Sequence, residues 1–135
     1  MTCIATFSVT GWEPTPYDEP ADGPSLSRVT IRKTFDGDLV GDSVGEGLFC
    51  SSADPADGAG YVVSERVTGR LADREGSFVI QHGGIVGPGI APTSFGNVVP
   101  GSGTAGLLGL RGTVTFAQTD GQHTLTLEAE FVEEA

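Results

Sequence analysis

Basic residues are scarce: seven Lys and Arg stand against 18 Asp and Glu in 135 residues, a formal net charge of −11. A nucleic-acid partner needs a positive face that displaces counterions from phosphates, and seven cations spread along the chain do not supply one. Docking on anionic membrane surfaces is excluded on the same ground. Cysteine is nearly absent. Cys3 and Cys50 lie far apart in sequence and lack the close spacing of metal ligands, so they read as free thiols packed as small hydrophobes. Histidine is limited to His82 and His123, and the expectation is a protein with no metal and no cofactor. No apolar run approaches the roughly 20 residues that span a bilayer. The start, "MTCIATFSVTGW", has neither the basic residues nor the apolar segment of a signal peptide, so a cytoplasmic location is expected. Helical periodicity is missing too: no window of about 12 residues keeps a 3.6-residue repeat without a Gly or Pro.

What the chain has is alternation. Apolar residues make up 38%, and 21 Gly and eight Pro punctuate the sequence at short intervals. Residues 1–135 therefore read as one all-β domain of ordinary size. Eight strands are expected at about 2–12, 26–35, 39–50, 61–71, 76–86, 93–99, 110–118 and 122–132. "FDGDL", "LADREG" and "QTDGQ" carry hairpin chemistry, because Asp and Gly tolerate positive φ. Consecutive hairpins make an eight-stranded antiparallel up-and-down β-barrel, which removes exposed edges; an open sandwich is the alternative.

The last hairpin sets the faces. With Asp120 and Gly121 in a two-residue turn, Phe116 opposes Leu125 and Val114 opposes Leu127, while Thr115 meets Thr126 on the other side. One face is dry and the other wet. The same counting on "YVVSERVTGRLADREGSFVIQHGG" places "ADRE" in a four-residue loop or "DR" in a two-residue loop. Both give one register, with Leu71 opposite Gly76, Val67 opposite Ile80, and Glu65 directly opposite His82. Ser64, Arg66, Thr68 and Arg70 point to water. A carboxylate and an imidazole thus occupy the apolar face. A buried charge is costly unless paired, so the two either satisfy each other structurally or line a cavity as an acid–base pair.

Other side chains join them as candidates. Lys33 shares parity with Val29, Ile31 and Phe35, although a lysine at a strand end can extend its ammonium to water. Gly41, Ser43, Gly45 and Gly47 alternate on strand three, where small residues leave room for a ligand or let the wall bend. Trp12 and Tyr17 flank "GWEPTPYDEP", a proline-rich loop placed to cover one barrel mouth. Leu107, Leu108 and Leu110 are assigned to plug the other end. The candidate site is therefore Glu65 and His82 as catalytic groups, with Trp12, Lys33, Tyr61, Phe78, Asn97 and Phe116 as ligand contacts. "PGSGTAGLLG" lacks the Lys-Ser/Thr ending of a phosphate-binding loop and opens no helix, so it reads as a tight crossover between strands.

The stretch "GSGTAGLLGLRG" is similar to the glycine-rich turn of the allene oxide cyclase and dirigent-like barrels. With "GW", "PYDE", "KTFDGDLVGDS", "SERVTG", "GSFVIQHGG" and "GQHTLTLEAEF", the chain resembles, almost end to end, a bacterial family of uncharacterised proteins placed in that superfamily. The segment after His82, "GGIVGPGIAP", departs from the family's pattern. The resemblance implies an eight-stranded barrel with an apolar cavity, often in oligomers, and no settled activity. Relatives in the superfamily include cyclases that steer ring closure of a lipid in a dry barrel. Three functions compete: a cofactor-free cyclase or isomerase acting on a small hydrophobic molecule, a non-catalytic carrier of such a ligand, and a filled barrel acting through its surface or oligomer. A small hydrophobic ligand and a homo-oligomer, dimer or trimer, are the expected partners.

Overall fold

The computed structural model describes residues 1–133. Eight strands follow one another: β1 (Thr2–Asp18), β2 (Ser25–Gly37), β3 (Leu39–Ser51), β4 (Ala59–Leu71), β5 (Arg74–Gly87), β6 (Ile90–Val98), β7 (Leu110–Thr119) and β8 (Gln122–Phe131). Among the described residues helix is confined to two single turns, Pro55–Asp57 and Ala105–Leu107. Among the described residues no helix is long and apolar enough to cross a membrane. Each strand pairs antiparallel with its sequence neighbours, and β1 pairs with β8 from Thr2↔Glu128 to Phe7↔His123, closing the sheet into a ring.

The turns follow local chemistry with one exception. Asp120 and Gly121 take φ of 52° and 80° in the β7–β8 turn, and Thr119 pairs with Gln122 as the sequence requires. Between β4 and β5 the turn is Ala72–Asp73, with Ala72 at φ 55° and Leu71 paired to Arg74. The expected register is therefore shifted by two residues: Glu65 faces Ile80, and His82 faces Val63. A shift of two keeps every side chain on its face, so both polar residues still point inward, diagonally apart.

β1 is longer than expected. The proline-rich segment is not a loop over the mouth but a continuation of the strand, with Pro14 opposite Val29 and Asp18 opposite Leu26. The last pair that β1 makes with β8 is Phe7↔His123, so beyond it one edge of β1 is free. Proline, which has no N–H to donate, is tolerated on such an edge. The β6–β7 seam is short, two pairs at Asn97↔Thr113 and Val98↔Gly112. Next to it the crossover runs along β5. Ser77 N and Val79 N donate to Thr104 Oγ1 and Ser102 Oγ, each at 3.0 Å. The glycine-rich segment thus supplies hydrogen bonds to β5 where β6 has ended.

Packing fills one half of the ring. Phe35, Leu39, Val67, Leu71, Phe78, Ile80, Leu107, Leu110, Leu125 and Leu127 belong to one buried cluster. Leu107 and Leu110 plug that end as expected, but Leu108 is 59% exposed: it lies just past the 3₁₀ turn in extended backbone, and Gly109 at φ 82° turns the chain back into β7. A second, smaller cluster of Val29, Ile31 and Val63 lies under Phe49 and Tyr61. Gly41 and Gly69 face each other across β3 and β4. A Cβ on Gly69 would collide with the Val40 carbonyl oxygen and come within 2.8 Å of Gly41 Cα. The small residues of β3 thus let the wall approach itself rather than leave room for a ligand.

Candidate functional site

The polar residues of the interior come from four adjacent strands: Lys33 on β2, Ser43 on β3, Glu65 on β4 and His82 on β5. Each sits at an inward position of an alternating strand, and register brings them together. Lys33 pairs with Ser43, Gly45 with Glu65, and Val63 with His82. A Cβ on Gly45 would stand 2.8 Å from Glu65 Cβ, so the glycine opposite Glu65 is what lets its side chain lie flat toward Ser43.

Glu65 is the hub and is 2% exposed. Its Oε1 accepts from Lys33 Nζ at 3.0 Å and lies 2.8 Å from His82 Nε2. Its Oε2 accepts from Ser43 Oγ at 2.6 Å. Burial is the largest single influence and pushes the carboxyl up. The His82 hydrogen bond, the Lys33 charge and the Ser43 hydroxyl together outweigh it and hold the carboxyl down at about 2. Glu65 is therefore an ionised, three-bonded carboxylate at neutral pH. A carboxylate only accepts, so His82 Nε2 carries the proton between them. His82 Nδ1 is buried and has no protein partner.

Aromatic rings surround the cluster. The Lys33 ammonium lies 4.9 Å from the centroid of Phe7 and 4.6 Å from that of Phe116, an arrangement in which ring quadrupoles stabilise the cation. The His82 ring packs 4.6 Å from Phe116 and 6.0 Å from Tyr61. Tyr61 stacks on Phe49, and Trp12 meets Phe49 edge-on. A continuous aromatic path thus runs from Trp12, 53% exposed, to the buried imidazole. Beside its middle rings a cleft of about 360 Å³ is lined by Phe49, Tyr61, Gly84, Ile85, Pro92 and Ser94 among others. A further cleft of about 610 Å³ lies between Arg70, Glu75 and Thr104 and is remote from the cluster. None of the four cluster residues lines either; His82 lines a third cleft, of about 310 Å³, with Val62, Ser64, Gln81 and Phe95.

Several expected site residues gather here and two do not. Lys33 is 7% exposed and turned fully inward, held by Glu65 and two rings rather than extended to water. Tyr61 and Phe116 are half-buried beside His82. Phe78 is packed in the filled half of the core. Asn97 is exposed: β6 directs Gly96 and Val98 inward, which turns Asn97 to the outer surface. Ser43, Phe7 and Phe49 were not singled out from sequence as site residues. Ser43 had a signal, the inward parity of strand three, but a hydroxyl among glycines reads as a small residue until its acceptor is known. Among the described residues no group of three or more His, Cys, Asp and Glu could hold a metal ion.

Comparison with known proteins places the chain. A family described as "Protein of unknown function (DUF3224)" matches residues 3–129. The chain belongs to the DUF3224 family. It is similar to a DUF3224 protein of unknown function from Shewanella oneidensis MR-1, whose crystal structure matches with a TM-score of 0.87 at 36% identity, over 98% of each chain. Among curated proteins none matches. The DUF3224 description names no activity, so the chemistry has to be argued from the cluster itself.

Proposed function

We propose that this DUF3224 protein is a single-domain β-barrel that binds a small, largely apolar molecule at the aromatic mouth, with His82 as the group that exchanges a proton with it. The observation that carries the reading is His82 itself: one nitrogen anchored to an ionised carboxylate, the other buried without a partner amid aromatic rings. Glu65, held near 2 and already accepting three hydrogen bonds, is a poor base at neutral pH. Its part is to fix the tautomer and orientation of His82, as a carboxylate does for a catalytic imidazole. In its neutral form His82 then holds a free lone pair on Nδ1. Lys33 supplies a nearby cation toward an anion formed when a C–H or O–H proton leaves the ligand. Such a site suits a cofactor-free isomerisation or cyclisation, in which desolvation and positioning do the rest. The resemblance to allene oxide cyclase-like barrels supports the same class.

A second reading rests on the packing. One half of the ring is filled and the mouth cleft stops short of Glu65, which favours a cluster that fixes the fold while the ligand is only carried. One experiment separates them. A panel of small lipophilic phenols, enones and carboxylic acids is screened by thermal shift against the native protein, His82→Leu and Tyr61→Ala. Site binding predicts hits that both substitutions weaken at least tenfold. Hits indifferent to both, or none across the panel, refute a mouth site. Conversion of a bound hit by the native protein, lost in His82→Leu, selects catalysis over carriage.

A further inference from the structure

The outside of the ring carries a feature that the proposed chemistry at His82 does not use. In an antiparallel wall the outward positions are expected to be polar, and on most of this wall they are. Across β3 to β6 they are not. Leu48 pairs with Val62, Val62 with Gly83, and Gly83 with Phe95, so one row of outward positions crosses four strands without a polar side chain. Ile85 lies in the next row, paired to Gly60 and Thr93. Leu48, Val62, Ile85 and Phe95 are each 51–53% exposed. Gly60 and Gly83 keep the face low. The Phe95 ring covers Gly83, where a Cβ would come within 2.8 Å of it. Ile90 extends the patch at the β5–β6 turn.

From this face we infer that two copies of the chain associate back to back through the outer surface of β3–β6. Size fits. Five half-exposed apolar side chains offer on the order of 450 Å², and a standard interface needs about 800 Å² per partner, of which roughly 56–65% is apolar. The remainder is at hand in Ser64, Gln81, Thr93 and Asn97, which border the row as exposed, uncharged polar residues. Gln81 Nε2 already donates to Ser64 Oγ at 3.1 Å. Charge selects the partner. Each copy carries −11 and repels another copy through most approaches. This face holds no charged side chain in its rows, and Glu46 at its border is neutralised by Arg28 at 3.0 Å. It is a place where two identical acidic molecules meet without opposing charges. Two twisted sheets laid face to face keep their strands within about 30° of each other, an arrangement a two-fold axis satisfies with the same rows on both sides.

The test is analytical ultracentrifugation of the full chain from about 1 to 100 µM, the range in which a standard interface of modest affinity dissociates. The expected species has twice the 13.9 kDa chain mass, and it tightens as salt screens the like charges. Val62→Asp and Phe95→Asp are each expected to run as monomers with the native circular dichroism spectrum. Where these variants do not fold, oxidative footprinting of the native protein decides. Leu48 and Phe95 should be modified several-fold less than Leu108 and Trp12, which are equally exposed in one chain, and dilution should remove the protection. A monomer at 100 µM, a trimer, a dimer that survives both folded variants, or equal modification at the four residues overturns the inference. Loosening by salt does so too, since it requires a charged contact.

Discussion

Replacing Glu65 by Gln keeps the shape of the side chain and removes its charge. Lys33 is then left as a buried cation facing an amide. The Gln carbonyl can still accept from Lys33 and His82, and its NH₂ can donate to Ser43 Oγ, so what the change removes is the charge that Lys33 needs. The size of the loss follows from the carboxyl itself. A fall from 4.5 to about 2 on folding corresponds to about 3 kcal/mol, which agrees with the roughly 3–5 kcal/mol for breaking a buried ion pair. At this chain length that is a drop of about 10 °C in Tm. The sign with pH is fixed. The folded pKa lies below the unfolded one, so the stabilisation is complete above about 4.5 and is lost as pH falls toward 2. Urea unfolding of the native protein and Glu65→Gln at pH 7, 4.5, 3 and 2 should show a gap of about 3 kcal/mol that narrows through the lower steps. The comparison cancels the other carboxylates, which both proteins share. Equal stability at pH 7, or a gap that does not change with pH, refutes the account of Glu65 as an ionised hub.

The double variant Lys33→Met/Glu65→Leu should recover most of the loss of Glu65→Gln, because apolar replacement of a buried pair is often neutral or better; urea unfolding checks it, and a loss equal to the sum of both single variants refutes it. Gly69→Ala should destabilise by about 2–4 kcal/mol, since its Cβ meets backbone that cannot move aside, whereas Gly121→Ala is strained only by its φ of 80° and should cost about 1 kcal/mol. Of the two thiols, Cys50 is half-buried and should react with Ellman's reagent in the native state, while Cys3 is 3% exposed with its thiol pushed up by burial and should react only on unfolding. Trp12 is the chain's one tryptophan. It lies half-exposed at the mouth, so native fluorescence should be quenched by acrylamide, and a mouth ligand should protect it.

Parity along each strand is local, and it was legible. Glu65 and His82 stand among inward apolar residues in "YVVSERV" and "FVIQHGG", and they point inward in the structure because a period of two allows no other face once the core is set. Asp120–Gly121 fixed its own turn, since those residues accept positive φ at little cost. What sequence could not fix depends on groups distant along the chain. Nothing about Ala72 announces a φ of 55°, so the β4–β5 register moved by two and turned a facing pair into a diagonal one. Asn97, expected among the ligand contacts, shares the outward face with Phe95, a large apolar side chain. Phe95 faces out onto Gly83 and the apolar row of the neighbouring strands. Lys33 had two destinations open to it, and the choice was made by Glu65, 32 residues away, together with two aromatic rings. Sequence determined that an acid and a base occupy inward positions on an eight-stranded antiparallel sheet, and it left the lysine open. Only the closed ring decided that they share one carboxylate, because the distances that set their charges are set by strand pairing and not by spacing along the chain.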